Sequence, residues 1–145
     1  MILTLKVECE WGSYLQEECI RFLEIDSHAS LYDLHLAIQD AVNFDNDHLF
    51  EFYAGRHCRN RKIEFAQDSW DWGWEEAGNE YREITLEEIY PLPKGLKLYY
   101  HFDFGDDWIF KIINSRRKPT EPEKGIKYPR VIKKIGSDPE QYPNF

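Results

Sequence analysis

The chain has 145 residues, of which 42% are hydrophobic and 16% aromatic, and its formal net charge is −9. That length suits one domain with one substantial core, no apolar run is long enough to cross a bilayer as a helix, and the acidic balance disfavours nonspecific attraction to nucleic acid or anionic membrane. Cys9, Cys19 and Cys58 lack C-x-x-C spacing and read as free thiols, and residues 1–6 alternate like a strand rather than a signal peptide, so a cytoplasmic location is expected.

Leu3, Leu5, Val7 and Cys9 alternate with Thr4, Lys6 and Glu8, the period-two pattern of a strand with one buried face. After a turn at residues 11–14, residues 19–25 are predicted to return as a second strand. Ser30 with Asp33 makes a capping-box pattern, and Leu31, Leu34, Ile38, Ala41 and Val42 follow at helical spacing as far as Asn43, which suits a left-handed stop. His35 falls at the border of that stripe and is expected to be partly buried. Residues 48–53 read as a third strand.

Residues 56–81 mix basic, acidic and aromatic side chains and are expected to form a long ordered loop or short extra hairpin, with an apolar piece at 63–65. Within it, Trp70, Trp72 and Trp74 alternate, so an extended backbone would place all three on one face. That face either packs on the core or serves a protein partner or self-association. Thr85 and Glu88 repeat the capping-box pattern ahead of a short helix over residues 86–90, which Pro91 must end.

The stretch from Leu98 to Ile113 reads as a central hairpin. Leu98, Tyr100 and Phe102 share one face, Tyr99 and His101 the other, and Trp108, Phe110 and Ile112 alternate likewise with Ile109, Lys111 and Ile113. Between the arms, Gly105 can supply a positive φ, and Asp103, Asp106 and Asp107 can each accept from nearby backbone N–H groups. Asp106 and Trp108 are expected to be the structural keystone, with the indole N–H finding a partner. From about residue 114 the chain is rich in Pro and Lys and reads as an extended arm. Residues 111–145 hold 9 Lys or Arg against 4 Asp or Glu, and this basic tail is expected to pack on the acidic body.

The run Tyr100-His101-Phe102-Asp103-Phe104-Gly105-Asp106-Asp107-Trp108 resembles the Y-x-Y/F-D-F-G-D-x-W signature of the plasmid pRiA4b ORF-3-like family, some of whose members are labelled insertion-element passenger proteins. Leu31, Leu34-His35 and Ile38-Gln39, then Asp45, His48-Leu49 and Phe52, are similar to that family's L-x-x-L-H-x-x-I-Q and D-x-H-L-x-x-F blocks, in the same order. The chain departs from the pattern at Phe110, where family members tend to carry a His. The resemblance implies the fold more than a reaction, and it brings association with a mobile element as an expectation.

The order strand, strand, helix, strand, short helix, strand, strand suggests an α+β fold over residues 1–145 as a single domain: a mixed β-sheet with one main helix packed on it, in a β-grasp, ubiquitin-like layout. The candidate binding site joins His35 and His48 to Asp103, Asp106, Asp107 and Trp108. Imidazoles with carboxylates suit a divalent metal or an oriented general base, but no H-x-x-x-H or H-E-x-x-H spacing fixes two ligands to one face, and histidines that cap or bridge the core are the plainer reading. No motif calls for another cofactor. The kinase-like Asp103-Phe104-Gly105 stands without a phosphate loop or catalytic loop, and no G-x-S-x-G elbow frames a serine. The first reading is therefore a non-catalytic binding or interaction module. Its alternatives are a mobile-element-associated nucleic-acid accessory protein, which the acidic body disfavours, and a metal-dependent enzyme.

Overall fold

The alternation at the N-terminus becomes β1 (Ile2–Trp11), a long strand near the middle of the sheet, in a computed structural model that describes residues 1–65 and 79–143. It pairs on one side with β2 (Ile20–Asp26), as expected of a hairpin, with Leu5 opposite Leu23 and Leu3 opposite Ile25. The chain then enters α1 (Leu31–Val42). Ser30 Oγ accepts from Asp33 N at 3.0 Å and Asp33 Oδ2 from Ser30 N at 2.9 Å, completing the capping box, while Asn43 closes the helix in the left-handed region at φ 59.

The remaining strands are β3 (Phe50–Gly55), β4 (Ile63–Glu64), β5 (Lys97–Phe102), β6 (Trp108–Asn114) and β7 (Arg130–Ile135). A 3-10 turn, Asn79–Glu83, and the one-turn helix α2 (Leu86–Ile89) connect β4 to β5. Thr85 does precede α2, but its side chain makes no capping hydrogen bond, so the second capping box does not form. Residues 63 and 64 pair with β3 as a short extra hairpin, whereas the Trp70, Trp72 and Trp74 face lies outside the described residues.

The β-grasp expectation is overturned. One sheet runs in the order β4-β3-β5-β6-β1-β2-β7, and each of its pairings is antiparallel. A β-grasp needs a parallel pairing between its first and last strands; here β1 lies between β2 and β6, antiparallel to both. The described chain is thus mostly β, with one main helix. Element order along the sequence leaves pairing partners open, and the seventh strand comes from the basic arm, where Lys133 and Lys134 interrupt the alternation that would reveal it. That arm touches the acidic body through Arg130 Nε, which donates to Glu24 Oε1 at 2.7 Å, while Arg116, Arg117, Lys118, Lys124 and Lys127 stay exposed.

Leu31, Leu34, Ile38 and Val42 of α1 share one apolar cluster with Leu5, Leu23, Phe52, Tyr100, Phe102 and Phe110, and this assigns the two faces of the sheet. Tyr100 points to α1, so Tyr99 and His101 point to the opposite face. Arg21 sits on the α1 side, 1% exposed: Nε donates to Ala41 O at 3.1 Å, Nη1 to the carbonyls of Ile20, Ile135 and Gly136, and Nη2 to Asp138 Oδ1 at 2.7 Å. A buried guanidinium is tolerated because these acceptors meet it, and they tie the C-terminal segment to β2 and α1. Gly136 closes that clasp at φ +83, and a Cβ there would lie 1.7 Å from Glu18 O, so only glycine fits.

Candidate functional site

The turn between β5 and β6 positions two separate groups of polar side chains. Gly105 does not take the positive φ that the sequence suggests; Asp103 at φ 61 and Asp107 at φ 53 do. Aspartate tolerates this region because its short carboxylate bonds locally. Asp103 Oδ1 accepts from Gly105 N at 3.1 Å and Asp106 N at 3.3 Å, and Asp107 N donates to Asp103 O at 2.7 Å. Asp103, 6% exposed, is therefore the keystone of the turn in place of Asp106, whose carbonyl accepts from Ser13 N at 2.9 Å and Ser13 Oγ at 3.0 Å. Burial, and then the neighbouring charge of Asp103, push the Asp106 carboxyl above its ordinary value.

Trp108 is fully buried, packed beside Phe44 at 5.0 Å between ring centres, and a Cβ at Gly12 would fall 2.1 Å from its ring. Among the described residues its Nε1 has no hydrogen-bond partner, contrary to expectation. The indole is a core residue and lies in neither polar group.

On the α1 side the two predicted histidines part company. His48 precedes β3 and reaches the turn: its Nε2 is 3.3 Å from Asp103 Oδ2 and 2.7 Å from Tyr142 Oη. Tyr142 Oη donates to Asp47 Oδ2 at 2.6 Å, and Gln141 Nε2 donates to Asp47 Oδ1 at 2.9 Å, so this group fastens the C-terminus. His35 is buried outright, 1% exposed, because Phe50 stacks on it at 3.7 Å. Gln39 Nε2 donates to Tyr100 Oη at 2.9 Å, and Tyr100 Oη lies 2.5 Å from His35 Nδ1. Burial drives the His35 pKa down to about 4, so the ring is neutral and accepts from the tyrosine. Among the described residues the hydrogen bonds of His35 run to Tyr100 and those of Asp103 to its own turn, so of the expected group of His35, His48 and Asp103 the direct pair is His48 with Asp103.

The second group lies on the face away from α1, which no helix covers among the described residues. Glu51 of β3 stands opposite His101 of β5, and Asp107 follows at the end of the turn. His101 Nδ1 is 2.7 Å from Glu51 Oε2, and Nε2 is 2.8 Å from Asp107 Oδ1. Glu51 also receives Arg61 Nη1 at 2.6 Å and Nη2 at 2.8 Å, a bidentate pair, and the Arg61 guanidinium lies 4.2 Å from the Tyr53 ring centre. Burial raises the Glu51 pKa, but the hydrogen bonds and charges of His101 and Arg61 outweigh it and bring the carboxyl to about 2. Beside this row opens a cleft of about 490 Å³ lined by Trp11, Tyr53, Arg59, Arg61, His101 and Ile109, together with Cys58 and Asp107.

Of these residues the sequence pointed to Asp107 alone as a candidate. Register was the missing signal: once β3 and β5 pair, alternation places Glu51, Tyr53, Tyr99 and His101 on one face, and Arg61 comes over it from the following hairpin. Among the described residues, no group of three or more His, Cys, Asp or Glu side chains is arranged to hold a metal ion, and no helix is long and apolar enough to cross a membrane.

An antiparallel sheet with a main helix on one side and a carboxylate-held imidazole beside a polar cleft on the other defines a small mostly β domain. The chain belongs to the plasmid pRiA4b ORF-3-like protein family, whose model matches residues 2–141. It is 28% identical over 108 residues to the "Uncharacterized protein y4hQ" of Sinorhizobium fredii (strain NBRC 101917 / NGR234), a match that covers 74% of this chain and 50% of that protein. The chain thus spans about half the length of this curated relative. The crystal structure of MM3350, a protein of unknown function from Methanosarcina mazei Go1, is similar with a TM-score of 0.68 at 20% identity, covering 94% of this chain and 70% of that one, a likeness of fold alone.

Proposed function

We propose that the protein is a non-catalytic binding module and that its ligand-facing surface is the cleft on the face of the sheet opposite α1. The observation that carries this reading is the saturation of His101 and Arg61, the polar row at the cleft, by their own carboxylate partners. Both ring nitrogens of His101 are taken up by carboxylates, which leaves neither nitrogen facing a substrate. Both terminal nitrogens of Arg61 are held by Glu51. Cys58, the nucleophilic side chain lining the cleft, has no hydrogen-bonded base among the described residues. Such a wall is rigid and preorganised, which favours recognition and lowers the ordering cost of binding, and the cleft volume lies in the range of small-ligand sites.

The test is a screen of chemically diverse fragments by ligand-observed NMR against the wild type and Ile109→Arg, a variant that fills the cleft from a half-buried position. Hits are expected on the wild type, lost in the variant with the fold intact by circular dichroism, and recovered chemically unchanged. An absence of hits, hits that survive in Ile109→Arg, or turnover of a bound fragment would each overturn the reading.

A further inference from the structure

We infer that the cleft takes a small planar molecule carrying one anionic group, such as an aromatic carboxylate or a nucleoside monophosphate. This inference rests on the binding reading above and specifies its ligand.

Charge provides the first part of the argument. The protein as a whole is strongly acidic, yet the side chains lining the cleft include two guanidiniums against a single carboxylate, Asp107. Arg61 is matched by Glu51 and His101 is shared between Glu51 and Asp107. Arg59 remains: its side chain is exposed and has no carboxylate partner among the described residues, and only its backbone is engaged, donating to His57 Nδ1 at 3.3 Å. A guanidinium at the edge of a cleft offers a planar fork that matches a carboxylate or a phosphate.

Shape provides the second. Trp11 ends β1 at this cleft and is 52% exposed, an unusual position for the largest aromatic side chain. A β-bulge between Cys9 and Trp11 breaks the register with β6 here, and such irregularities re-aim the side chains they carry. Tyr53 is already covered, by Arg61 on one face and by Tyr99, stacked at 5.4 Å, so the available apolar surface is Trp11 with the half-buried Ile109. A flat ring against the indole with its anion toward Arg59 satisfies both surfaces. A bare inorganic anion would leave the indole unused, and a neutral ring would leave Arg59 unmatched.

Calorimetric titration of the full chain with 2-naphthoate, adenosine monophosphate, adenosine and inorganic phosphate tests this. Either planar anion, or both, is expected to bind at sub-millimolar Kd, and the one that binds identifies the carboxylate or the phosphate as the preferred head. Adenosine and inorganic phosphate should bind at least roughly tenfold more weakly, the worth of one charge-assisted hydrogen bond or one stacked ring. Arg59→Ala and Trp11→Ala, both at exposed positions, should each weaken the planar anion by a similar factor while leaving the unfolding midpoint unchanged. Equal binding of adenosine or of inorganic phosphate, or full affinity in either variant, would overturn the inference. If none of the four probes binds while screened fragments still occupy the cleft, the planar-anion inference fails and the binding reading stands; if the cleft takes no fragment either, both fail.

Discussion

His35 is held neutral inside the core, and its effect on stability can be worked out with its sign. Burial sets its folded pKa at about 4, against 6.5 for an unhindered histidine, so between those values the unfolded chain takes up a proton that the folded chain refuses. Stability from this residue is fully present above pH 6.5 and is lost as pH falls toward 4, about 3 kcal/mol in all at about 1.4 kcal/mol per pH unit. Glu51 acts in the same direction but in a lower window: its pKa of about 2 stands against 4.5, so its contribution declines only below pH 4.5. Between pH 7 and pH 5 the histidine term therefore stands apart and amounts to about 2 kcal/mol. His35→Phe preserves the stack on Phe50 and cannot titrate. Urea unfolding of both proteins at pH 7, 6 and 5 should show the wild type losing about 2 kcal/mol more than the variant across that range. Equal losses would refute the buried neutral histidine.

Trp108→Ala removes a fully buried indole and should cost about 3–5 kcal/mol, whereas Trp108→Phe, which also removes the unpartnered Nε1 donor, should cost much less; urea midpoints decide, and a mild Trp108→Ala would contradict the core assignment. At Asp103, with φ 61, Asp103→Gly loses the side-chain bonds and Asp103→Ala loses them and adds backbone strain. Alanine should therefore be the worse by about 1 kcal/mol in chemical denaturation, and equal costs would remove the strain from the account.

Local chemistry was legible in the sequence wherever one residue type answers one backbone need. Ser30 with Asp33 and the left-handed Asn43 bounded α1, and alternation gave β1, β2, β5 and β6 to within a residue or two. Pairing was not legible, because a strand's period reveals its two faces without naming its neighbours. The grouping of His35 with Asp103 failed for that reason: His35 was assigned to the edge of the stripe, but Phe50 from the neighbouring strand covers it. Tyr142 and Gln141 carried no sequence signal, since their partners Asp47 and His48 lie more than ninety positions away. The β-grasp expectation failed on strand direction, since β1 pairs antiparallel with both β2 and β6, while β7 was missed because its lysines, those of an exposed edge strand, obscure its alternation.

The most direct test of the cleft as a binding surface is the map of backbone amide chemical shifts as a fragment hit is titrated into labelled protein. The shifts should concentrate at Trp11, Tyr53, Arg59, Arg61, His101 and Ile109, on the face opposite α1. Shifts confined to His48, Asp103 and Tyr142 on the opposite side would contradict the account and move the site to the group that fastens the C-terminus.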